Sequence, residues 1–483
     1  MPIQPLHSSL ESLSWENRFA ALGDEYSAEQ AASPVAMPEL KHLNADVAAL
    51  IDLDAPHVEP GLFAQQLCGN QAVGGFQPRA ALYAGHQFGQ FVPQLGDGRA
   101  MLLGQVRNST QQLWDLQVKG AGPTPFSRFA DGRAVLRSSI REYLGSEAMY
   151  HLGVPTTRAL ALVTTGDLVQ REIAEPGAVL ARVAPSHLRF GSFEVFFYRN
   201  EHEKIRPLAN YVLAEFEPDL LSQDQPYVAW LERVVDRSAE MVAHWQSVGF
   251  AHGVMNTDNM SVHGITLDYG PFGFMDAYEP SWICNHSDHS GLYAFDQQPK
   301  VIGWNVSRFA QAILPLLGDE PQQGVDAANP ILESYPDRFN KHWLRLMRAK
   351  FGFEGEQADD SELIAEFLAI MEANKLDYTR SFRALAEDQS MPSPFNEWML
   401  QYQARITVSK QGKPLDRLAH NPKYILRNHL AQKAIEQAEQ GDFSEMERLI
   451  EILRRPYDDQ PEHEAYAAEA PVRSTQAPIS CSS

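Results

Sequence analysis

The sequence is poor in cysteine and in positive charge, and both shortages exclude classes of protein. Its 483 residues include three cysteines, Cys68, Cys284 and Cys481, and none of them forms a C-x-x-C pair. We therefore expect a reducing compartment, and neither a disulfide framework nor a zinc ribbon. Lys and Arg number 40 against 62 Asp and Glu, so the formal charge of −22 repels nucleic acid and anionic membranes. We expect neither as a partner, and any anionic ligand must be held by a local cluster of basic side chains.

Long apolar runs are also missing. No run reaches the roughly 18 residues that a membrane-spanning helix needs. The first residues lack the apolar core of a secretory signal, and the first arginine, Arg18, stands beside glutamates, unlike the arginines of a transit peptide. These features predict a cytoplasmic protein. With 44% hydrophobic residues, a chain of 483 residues can bury a large core and is expected to form two lobes.

Hydrophobic periodicity predicts an α+β fold with a β-rich first part and a helical remainder. Two strands, 87–94 and 100–106, flank the Asp97-Gly98 pair, which is typical of a tight hairpin turn. Further elements are predicted as follows: strands at 113–119, 156–164 and 178–184, and helices at 133–152, 226–249, 304–316, 338–351, 361–374 and 426–453. The predicted domains are an N-terminal extension (1–80), an N-lobe (81–200), a helical C-lobe with a helical extension (201–456) and a flexible tail (457–483).

One stretch of the helical part combines the residues of a phosphotransfer site. Protein kinases carry H-R-D-x-x-x-x-N followed by D-F-G, in which the first Asp accepts the substrate proton and the Asn and the second Asp hold Mg²⁺. This chain has His252, Asn259 and Asp268 at the corresponding places, but Val254, which cannot accept a proton, occupies the position of the base. The sequence therefore predicts Asn259 and Asp268 as ligands of Mg²⁺ or Mn²⁺, and Asp258 as the substitute base.

The order of the elements is that of a protein kinase: a glycine hairpin, a strand ending in Lys, a helix carrying Glu, and then the catalytic and metal loops. Each of these features alone is weak evidence for a nucleotide site, because a D-G pair suits any tight turn and a lysine at a strand end is usually a solvated charge. Together they predict a two-lobed, kinase-like fold that binds a nucleotide.

Five segments also carry a resemblance to a known family: YAGHQFG (83–89), GDGRA (96–100), QVKGAG (117–122), NTDNMS (256–261) and DYGPFGFMD (268–276). They closely resemble the selenoprotein O (SelO) family, over most of the chain. The resemblance implies a kinase-like protein adenylyltransferase, which transfers AMP from ATP to the Ser, Thr or Tyr hydroxyls of proteins, with the nucleotide held in an inverted orientation. ATP and protein substrates are the implied partners. Eukaryotic members carry selenocysteine near the C-terminus, where this chain has Cys481.

An inverted triphosphate needs cations around its outer end. The resemblance places four basic side chains there, Arg99, Lys119, Arg182 and Arg189. Arginine forks match phosphate oxygens bidentately, although on sequence alone surface salt bridges explain the arginines equally well. The resemblance adds further nucleotide contacts, which are Gly96, Gly98, Asp131 and Gly132. Asp268 is counted among the nucleotide-binding residues as well as the metal ligands.

A glutamate on the helix after Lys119 should pair with this lysine, as in kinases. The resemblance favours Glu142. At about 100° per residue, however, Glu147 falls close to the apolar face of the helix, where an acid needs a partner. We predict Glu142 and keep Glu147 as the alternative.

Two other patterns have simpler explanations. His286, Asp288 and His289 could ligate a metal, but without a fourth ligand nearby such a group is more often a polar loop. Cys284 and Cys481 could form a redox-sensitive bridge that ties the tail to the catalytic lobe, whereas the simpler explanation is one core thiol and one tail thiol.

The function that the sequence favours is metal-dependent transfer of AMP from ATP to proteins. Two alternatives stay open: a kinase-like phosphotransferase acting on proteins or small molecules, and an inactive nucleotide-binding pseudokinase scaffold. Val254 argues against the first alternative, and the retained metal ligands argue against the second.

Overall fold

The chain combines one large antiparallel sheet with many helices in the computed structural model, which describes residues 7–409 and 416–471. The strands are β1 (Ser27–Glu29), β2 (Glu39–Leu43), β3 (Arg79–Ala81), β4 (Gly85–Gln87), β5 (Gln90–Val92), β6 (Ala100–Arg107), β7 (Leu113–Lys119), β8 (Ala134–Val135), β9 (Arg158–Gln170), β10 (Ala174–Ala184), β11 (Phe250–Ala251) and β12 (Gly273–Phe274). The helices are α1 (Ala45–Leu50), α2 (Pro60–Leu67), α3 (Leu136–His151), α4 (Gly191–Tyr198), α5 (Ile205–Phe216), α6 (Pro226–Ser247), α7 (Gln298–Ala312), α8 (Leu314–Leu317), α9 (Pro321–Glu333), α10 (Tyr335–Phe351), α11 (Asp360–Asn374), α12 (Tyr378–Ala386), α13 (Asn396–Ser409), α14 (Asn428–Ala438) and α15 (Ser444–Leu453).

The large sheet has eight strands in the order β1-β3-β6-β7-β10-β9-β2, and β8 pairs with β10. All of these neighbours are antiparallel. Strands β1, β2 and β3 come from the first 81 residues, so the predicted N-terminal extension contributes to the same sheet as the predicted N-lobe. Two short pairs, β4 with β5 and β11 with β12, lie outside this sheet.

The two faces of the sheet pack against different helices. One face joins α1 and α2 in a core that includes Val118 and Phe63. The other face joins α3 in a core that includes Leu180 and Ile140. Because side chains alternate along a strand, Lys119, the neighbour of Val118, faces the side that α3 covers. The larger core continues into α4 to α9, α14 and α15, and a separate core holds α10 to α13 together.

The prediction of a hairpin around Asp97-Gly98 is wrong. Strands β4 and β5 pair with each other around Phe88 and Gly89, whose φ angles are +49° and +78°, and β6 pairs with β3 and β7 instead. The buried carboxylate of Asp97 accepts a hydrogen bond from the backbone of Ala81 at 3.1 Å. The left-handed backbone at Gly89 turns the chain inside the segment that periodicity assigned to one strand.

Other predicted elements agree better with the structure. The strand that ends in Lys119 and the helix that follows it are confirmed as β7 and α3. The helix predicted at 426–453 is divided into α14 and α15, which are separated by Gly441 with a φ of +90°. No helix within the described ranges is both long enough and apolar enough to cross a membrane.

The start of the predicted tail contacts the fold. Tyr457 donates from its hydroxyl to the carbonyl of Leu152 at 3.0 Å, and Pro461–Ala467 forms a 3-10 helix. The rest of the tail, 472–483, lies outside the described residues. The predicted domain boundaries stay a prediction.

Candidate active site

A cavity of about 390 Å³ is lined by residues of the sheet and of the loop between β11 and β12. Its wall brings together side chains that were predicted to form one site, namely Gly98, Arg99, Lys119, Arg182, Arg189, Asp258, Asn259 and Asp268. Val254, at the position of the kinase base, lines the same cavity. The cavity therefore gathers the predicted base, the predicted metal ligands and the predicted phosphate-binding cations.

Lys119 stands at the end of β7 and meets α3. Its Nζ donates to Oε2 of Glu142 at 2.5 Å and lies 3.5 Å from Oδ1 of Asp268. Burial lowers the pKa of Lys119, although Glu142 and Asp268 act in the opposite direction, and the nearby Arg99 lowers it further. Of the two glutamates left open by the sequence, Glu142 makes the contact.

Glu147 is held by a different cation. Arg158, the first residue of β9, donates to its carboxylate from Nε and from Nη2, each at 2.8 Å. Asn44 donates to the same carboxylate at 2.8 Å. The helical-face argument correctly required a partner for this acid, but the partner is Arg158 and the pair lies outside the cavity wall.

Arg182 lies on β10 opposite Gln117 of β7 and is only 2% exposed. Its Nη1 donates to Glu142 at 2.7 Å and to Asp268 at 2.5 Å, while Gln117 accepts from Nε at 2.8 Å and from Nη2 at 2.6 Å. Burial acts to lower the pKa of Arg182, but Asp268 and Glu142 raise it overall. The alternative of a surface salt bridge is therefore wrong for this arginine.

Arg189, between β10 and α4, is also buried and connects the sheet to the turn that contains Asp258. Its Nη1 donates to the backbone carbonyl of Asp258 at 2.8 Å and to Oδ2 of Asp268 at 3.2 Å. The guanidinium carbon lies 4.5 Å from the ring centre of Tyr83, a cation–π contact. Burial acts to lower the pKa of Arg189, but Tyr83, Asp268 and Asp97 raise it overall. This arginine is likewise not a surface salt bridge.

Asp268 is the carboxylate on which these cations converge. Arg182, Lys119 and Arg189 lie 2.5, 3.5 and 3.2 Å from its oxygens. Burial acts to raise the pKa of Asp268, but the three cations hold it well below its usual range. A carboxylate in this setting is a poor proton acceptor and suits the role of a ligand.

Asp258 differs from Asp268 in its contacts and in the direction of its pKa shift. It lies in the 3-10 turn Thr257–Asn259 and is 7% exposed. Gln87 donates from Nε2 to Oδ2 at 3.1 Å, whereas Oδ1 is buried and accepts no hydrogen bond from the part of the chain that the structure describes. Burial raises the pKa of Asp258 to about 6, against the effects of Gln87 and Arg189. A carboxylate with one unused oxygen and a raised pKa can accept the proton of a hydroxyl group.

Sequence reasoning missed Gln87 and the β4–β5 hairpin that carries it. A Cβ built on Gly85 would lie 2.6 Å from Oδ1 of Asp258, so a side chain there would displace the carboxylate. His86 anchors the hairpin through a buried contact of 2.8 Å between its Nδ1 and Oε2 of Glu194. The signal was the segment YAGHQFG, which supported the family resemblance but received no structural role.

Asn259 and Asp268 both face the cavity. Asn259 donates from Nδ2 to the carbonyl of Val254 at 2.9 Å. Its Oδ1 accepts no hydrogen bond from residues 7–409 and 416–471. Amide and carboxylate oxygens are the ligands that Mg²⁺ and similar hard cations prefer. This pair of donors therefore fits the predicted metal.

The segment with His286, Asp288 and His289 is organised by its backbone. Asp288 accepts hydrogen bonds from the N–H groups of Leu292 at 3.1 Å and Tyr293 at 2.7 Å. Among the described residues, no group of three or more His, Cys, Asp and Glu side chains could hold a metal. The polar-loop interpretation fits these contacts.

The remaining predicted contacts lie at the edge of the cavity or away from it. Arg99 lines it with an exposed side chain that makes no hydrogen bond or ion pair to any described residue. Gly96 is outside the wall and has a φ of +124°, and a Cβ there would collide with the ring of Phe126. Asp131 and Gly132, in the loop between β7 and β8, are also outside the wall.

Asp131 is engaged by another side chain. Arg171 donates to it from Nη1 at 2.9 Å and from Nη2 at 3.1 Å, and this bond lowers the pKa of Asp131. The assignment of Gly96, Asp131 and Gly132 to the nucleotide stays a prediction.

Cys284 lies close to the metal motif. Its side chain is buried, and Sγ donates to the carbonyl of Pro271 at 2.9 Å. Cys481 lies outside the described residues, so a bridge between the two cysteines stays a prediction.

The chain is similar to known proteins over nearly its whole length. The profile of the family described as "Protein adenylyltransferase SelO" matches residues 9–454. The chain belongs to the SelO family. A relative from Thioalkalivibrio sulfidiphilus, named "Protein nucleotidyltransferase YdiU", is 48% identical over 98% of this chain and 99% of its own length. Proteins with the same name from Thiobacillus denitrificans, at 48% identity, and Myxococcus xanthus, at 45%, each match over 99% of this chain and 100% of their own lengths.

Membership of the SelO family confirms the family predicted from the five segments. It also confirms the prediction of an enzyme of the nucleotidyltransferase class. The alternative of an inactive pseudokinase scaffold receives no support from these relatives.

Proposed function

We propose that this chain transfers AMP from ATP to Ser, Thr or Tyr hydroxyls of protein substrates and releases pyrophosphate, with Mg²⁺ or Mn²⁺ as the cofactor. One observation carries the proposal. The same cavity contains Asp258, with a carboxylate oxygen that has no partner among the described residues, and a wall of cations formed by Lys119, Arg182 and Arg189. The names of the family and of its relatives support the same reaction class.

The reaction moves one proton and one adenylyl group. The acceptor oxygen forms a bond to the α-phosphorus, the bond from the α-phosphorus to the bridging oxygen breaks, and pyrophosphate leaves with that oxygen. Asp258 takes the proton of the acceptor hydroxyl. Val254 supplies no competing base at the kinase position, and the low pKa of Asp268 makes that carboxylate a poor one.

The cations bind the triphosphate in the inverted orientation, with its outer phosphates towards the wall. Arg182 and Arg189 present donors that suit bidentate phosphate contacts, and Arg99 adds a side chain with no protein partner in the described part. Glu142 and Asp268 fix Lys119 and Arg182 in place before the nucleotide arrives. Such preorganised charges stabilise the leaving group without rearrangement during the reaction.

Asn259 and Asp268 would hold the divalent cation. When bound, such a cation neutralises charge on the phosphate oxygens and stabilises the pyrophosphate that leaves. The unused Oδ1 of Asn259 and the ionised carboxylate of Asp268 support this assignment.

For the fold, we infer a two-lobed, kinase-like arrangement, with an N-lobe at 81–200 and a helical C-lobe at 201–456. The Lys119–Glu142 pair supports it, since kinases join the equivalent strand and helix by an ion pair. A cytoplasmic location remains part of the same proposal.

Parallel incubations with ATP labelled on the α- or the γ-phosphate test the function. We expect protein-bound label from α-³²P ATP alone, in the presence of Mg²⁺ or Mn²⁺. The matched variant Asp258→Asn should transfer this label about 10²–10⁴-fold more slowly. Transfer of the γ label at a comparable rate would establish the kinase alternative and refute adenylyl transfer.

A further inference from the structure

A second pocket, of about 380 Å³, adjoins the cavity that contains Asp258. Phe88, at the tip of the β4–β5 hairpin, lines both of them. The lining of the second pocket is largely apolar and includes large side chains that are partly open to solvent, namely Phe88 and Leu292, each 37% exposed, and Trp304, 39% exposed. Exposed apolar side chains gathered at one place are typical of a binding surface.

The pocket is connected to the turn that carries the proposed base. The ring of Tyr293 packs against that of Phe88, with centroids 4.9 Å apart. The hydroxyl of Tyr293 donates to Oδ1 of Asn256 at 2.6 Å and accepts from the backbone N–H of Phe88 at 2.9 Å. Because Asn256 is two residues before Asp258, a molecule in this pocket lies beside the catalytic loop.

Asn305 of α7 joins the pocket wall to the loop that contains Asp258. Its side chain is fully buried, and Nδ2 donates to the carbonyl of Met255 at 2.9 Å. The side-chain oxygen accepts no hydrogen bond from any residue in the described ranges. Because Met255 directly precedes Asn256, Asn305 fixes the pocket wall to the loop that contains Asp258.

Two basic side chains lie on the helix that borders the pocket, and one of them, Lys300, lines it. Lys300, Trp304 and Arg308 follow each other at four-residue intervals on α7 and therefore share a face of that helix. Within the described part of the chain, neither Lys300 nor Arg308 pairs with a carboxylate, and the guanidinium of Arg308 lies 5.3 Å from the Trp304 ring centre. In a chain with a net charge of −22, unpaired cations beside an apolar pocket are complementary to an acidic partner.

We propose that this pocket docks the acceptor protein, by binding a large apolar side chain close in sequence to the modified hydroxyl, with Lys300 and Arg308 favouring an acidic residue beyond it. The inference rests on the proposed function, since an acceptor segment is needed only by a transferase. An extended segment advances about 3.3 Å per residue, so an apolar side chain a few positions from the hydroxyl can span from the pocket to the cavity.

A randomised peptide library tests the pocket. Each peptide carries one fixed Ser, Thr or Tyr and no other hydroxyl side chain. Two measurements are made, label transferred from α-³²P ATP and retention of peptides on the immobilised full chain without nucleotide. We expect both to select Leu, Phe or Trp at one position and Asp or Glu at another.

Two variants and two matched controls assign the selection to the pocket. Leu292→Ser should weaken the apolar preference by at least about tenfold, the smallest effect typical of shortening a side chain in an apolar pocket. Lys300→Glu should replace the acidic preference by a basic one. Leu400→Ser and Lys341→Glu change exposed side chains of the same types elsewhere and should leave both preferences intact. Unchanged ATP affinity in Leu292→Ser and Lys300→Glu would show that these variants are folded.

The outcomes separate the pocket from the reaction. Retention with the expected selection but no transferred label would support the pocket and refute adenylyl transfer. Absence of apolar selection in both measurements, or its persistence in Leu292→Ser, would refute docking. Dimerisation of the parent that Leu292→Ser abolishes, without peptide selection, would assign the pocket to a second copy of the chain and also refute docking.

Discussion

Asp258 and Asp268 line one cavity, yet they should fail in different ways when each is replaced by Asn. The side chain of Asp258 receives one hydrogen bond, 3.1 Å from Gln87, which an amide oxygen can also accept. We therefore expect Asp258→Asn to keep its ATP affinity within a few-fold of the parent. Losing a general base typically lowers turnover by about 10²–10⁴-fold. At about 1.4 kcal/mol per tenfold, the barrier should rise by roughly 3–5.5 kcal/mol.

Asp268→Asn removes the counter-charge of three buried cations. Arg182, Arg189 and Lys119 lie 2.5, 3.2 and 3.5 Å from the carboxylate. Removing one partner of a buried ion pair costs about 3–5 kcal/mol, so the free energy of unfolding should fall by an amount of this order. The variant should also lose a metal ligand, so that Mg²⁺ no longer increases its ATP affinity.

Three measurements distinguish the two acids: turnover with α-labelled ATP, calorimetric ATP binding with and without Mg²⁺, and urea unfolding. Asp258→Asn should lower the first without lowering stability, because its carboxylate is destabilised by burial, and Asp268→Asn should lower all three. Near-parental turnover in Asp258→Asn would mean that another group takes the proton or that none is needed. Parental stability in Asp268→Asn would contradict the role assigned to the cation cluster.

Four other side chains allow a role in the site to be separated from a role in folding. Gln87→Ala should lower turnover by roughly tenfold without changing KM for ATP, because Gln87 orients Asp258 through one hydrogen bond; an equal effect on KM in steady-state assays would contradict this. Glu142→Gln should weaken ATP binding in calorimetry, since Lys119 and Arg182 lose the negative charge that they share at this position. Glu147→Gln, whose partner Arg158 lies outside the cavity wall, should lower the unfolding midpoint and leave ATP affinity unchanged. Burial lowers the pKa of Lys350 in the folded chain to about 7. Above pH 7 the unfolded chain therefore binds more protons than the folded chain, so the free energy of unfolding should rise with pH from 7 towards 10, by at most about 1.4 kcal/mol per pH unit. At pH 7, Lys350→Met should have a larger free energy of unfolding than the parent in urea titrations, and this free energy should no longer rise with pH. A pH dependence equal to that of the parent would refute the role assigned to Lys350.

The features that could be predicted from the sequence are local. The strand ending in Lys119 and the helix after it follow from periodicity over fewer than 40 residues. His252, Asn259 and Asp268 lie within one loop, so their motif could be recognised from their spacing without knowledge of the packing. Alternation along β7 and β10 then decides which side chains can reach the cavity.

The features that could not be predicted depend on long-range packing. The contact between Gln87 and Asp258 joins residues 171 positions apart. The partner of Glu147 could not be derived from its own helix, because Arg158 reaches it from the next strand. The hairpin assignment failed for the same reason, since local turn chemistry does not determine which strands pair across the sheet.

The arrangement around Asp268 also explains how an acidic protein can bury cations for an anionic substrate. Buried arginines without counter-charges would be costly, and Glu142 and Asp268 supply those charges in the absence of nucleotide. Four cations, Lys119, Arg182, Arg189 and Arg99, line the cavity together with three aspartates, Asp97, Asp258 and Asp268, and Glu142 pairs with Lys119, so the charges of the cluster nearly balance. In the proposed reaction, a divalent cation offsets part of the charge of the triphosphate, so the cavity does not need a surplus of positive charge. Under the proposed function, binding of a metal-bound nucleotide therefore depends on where these charges lie within the cavity and does not require a basic protein.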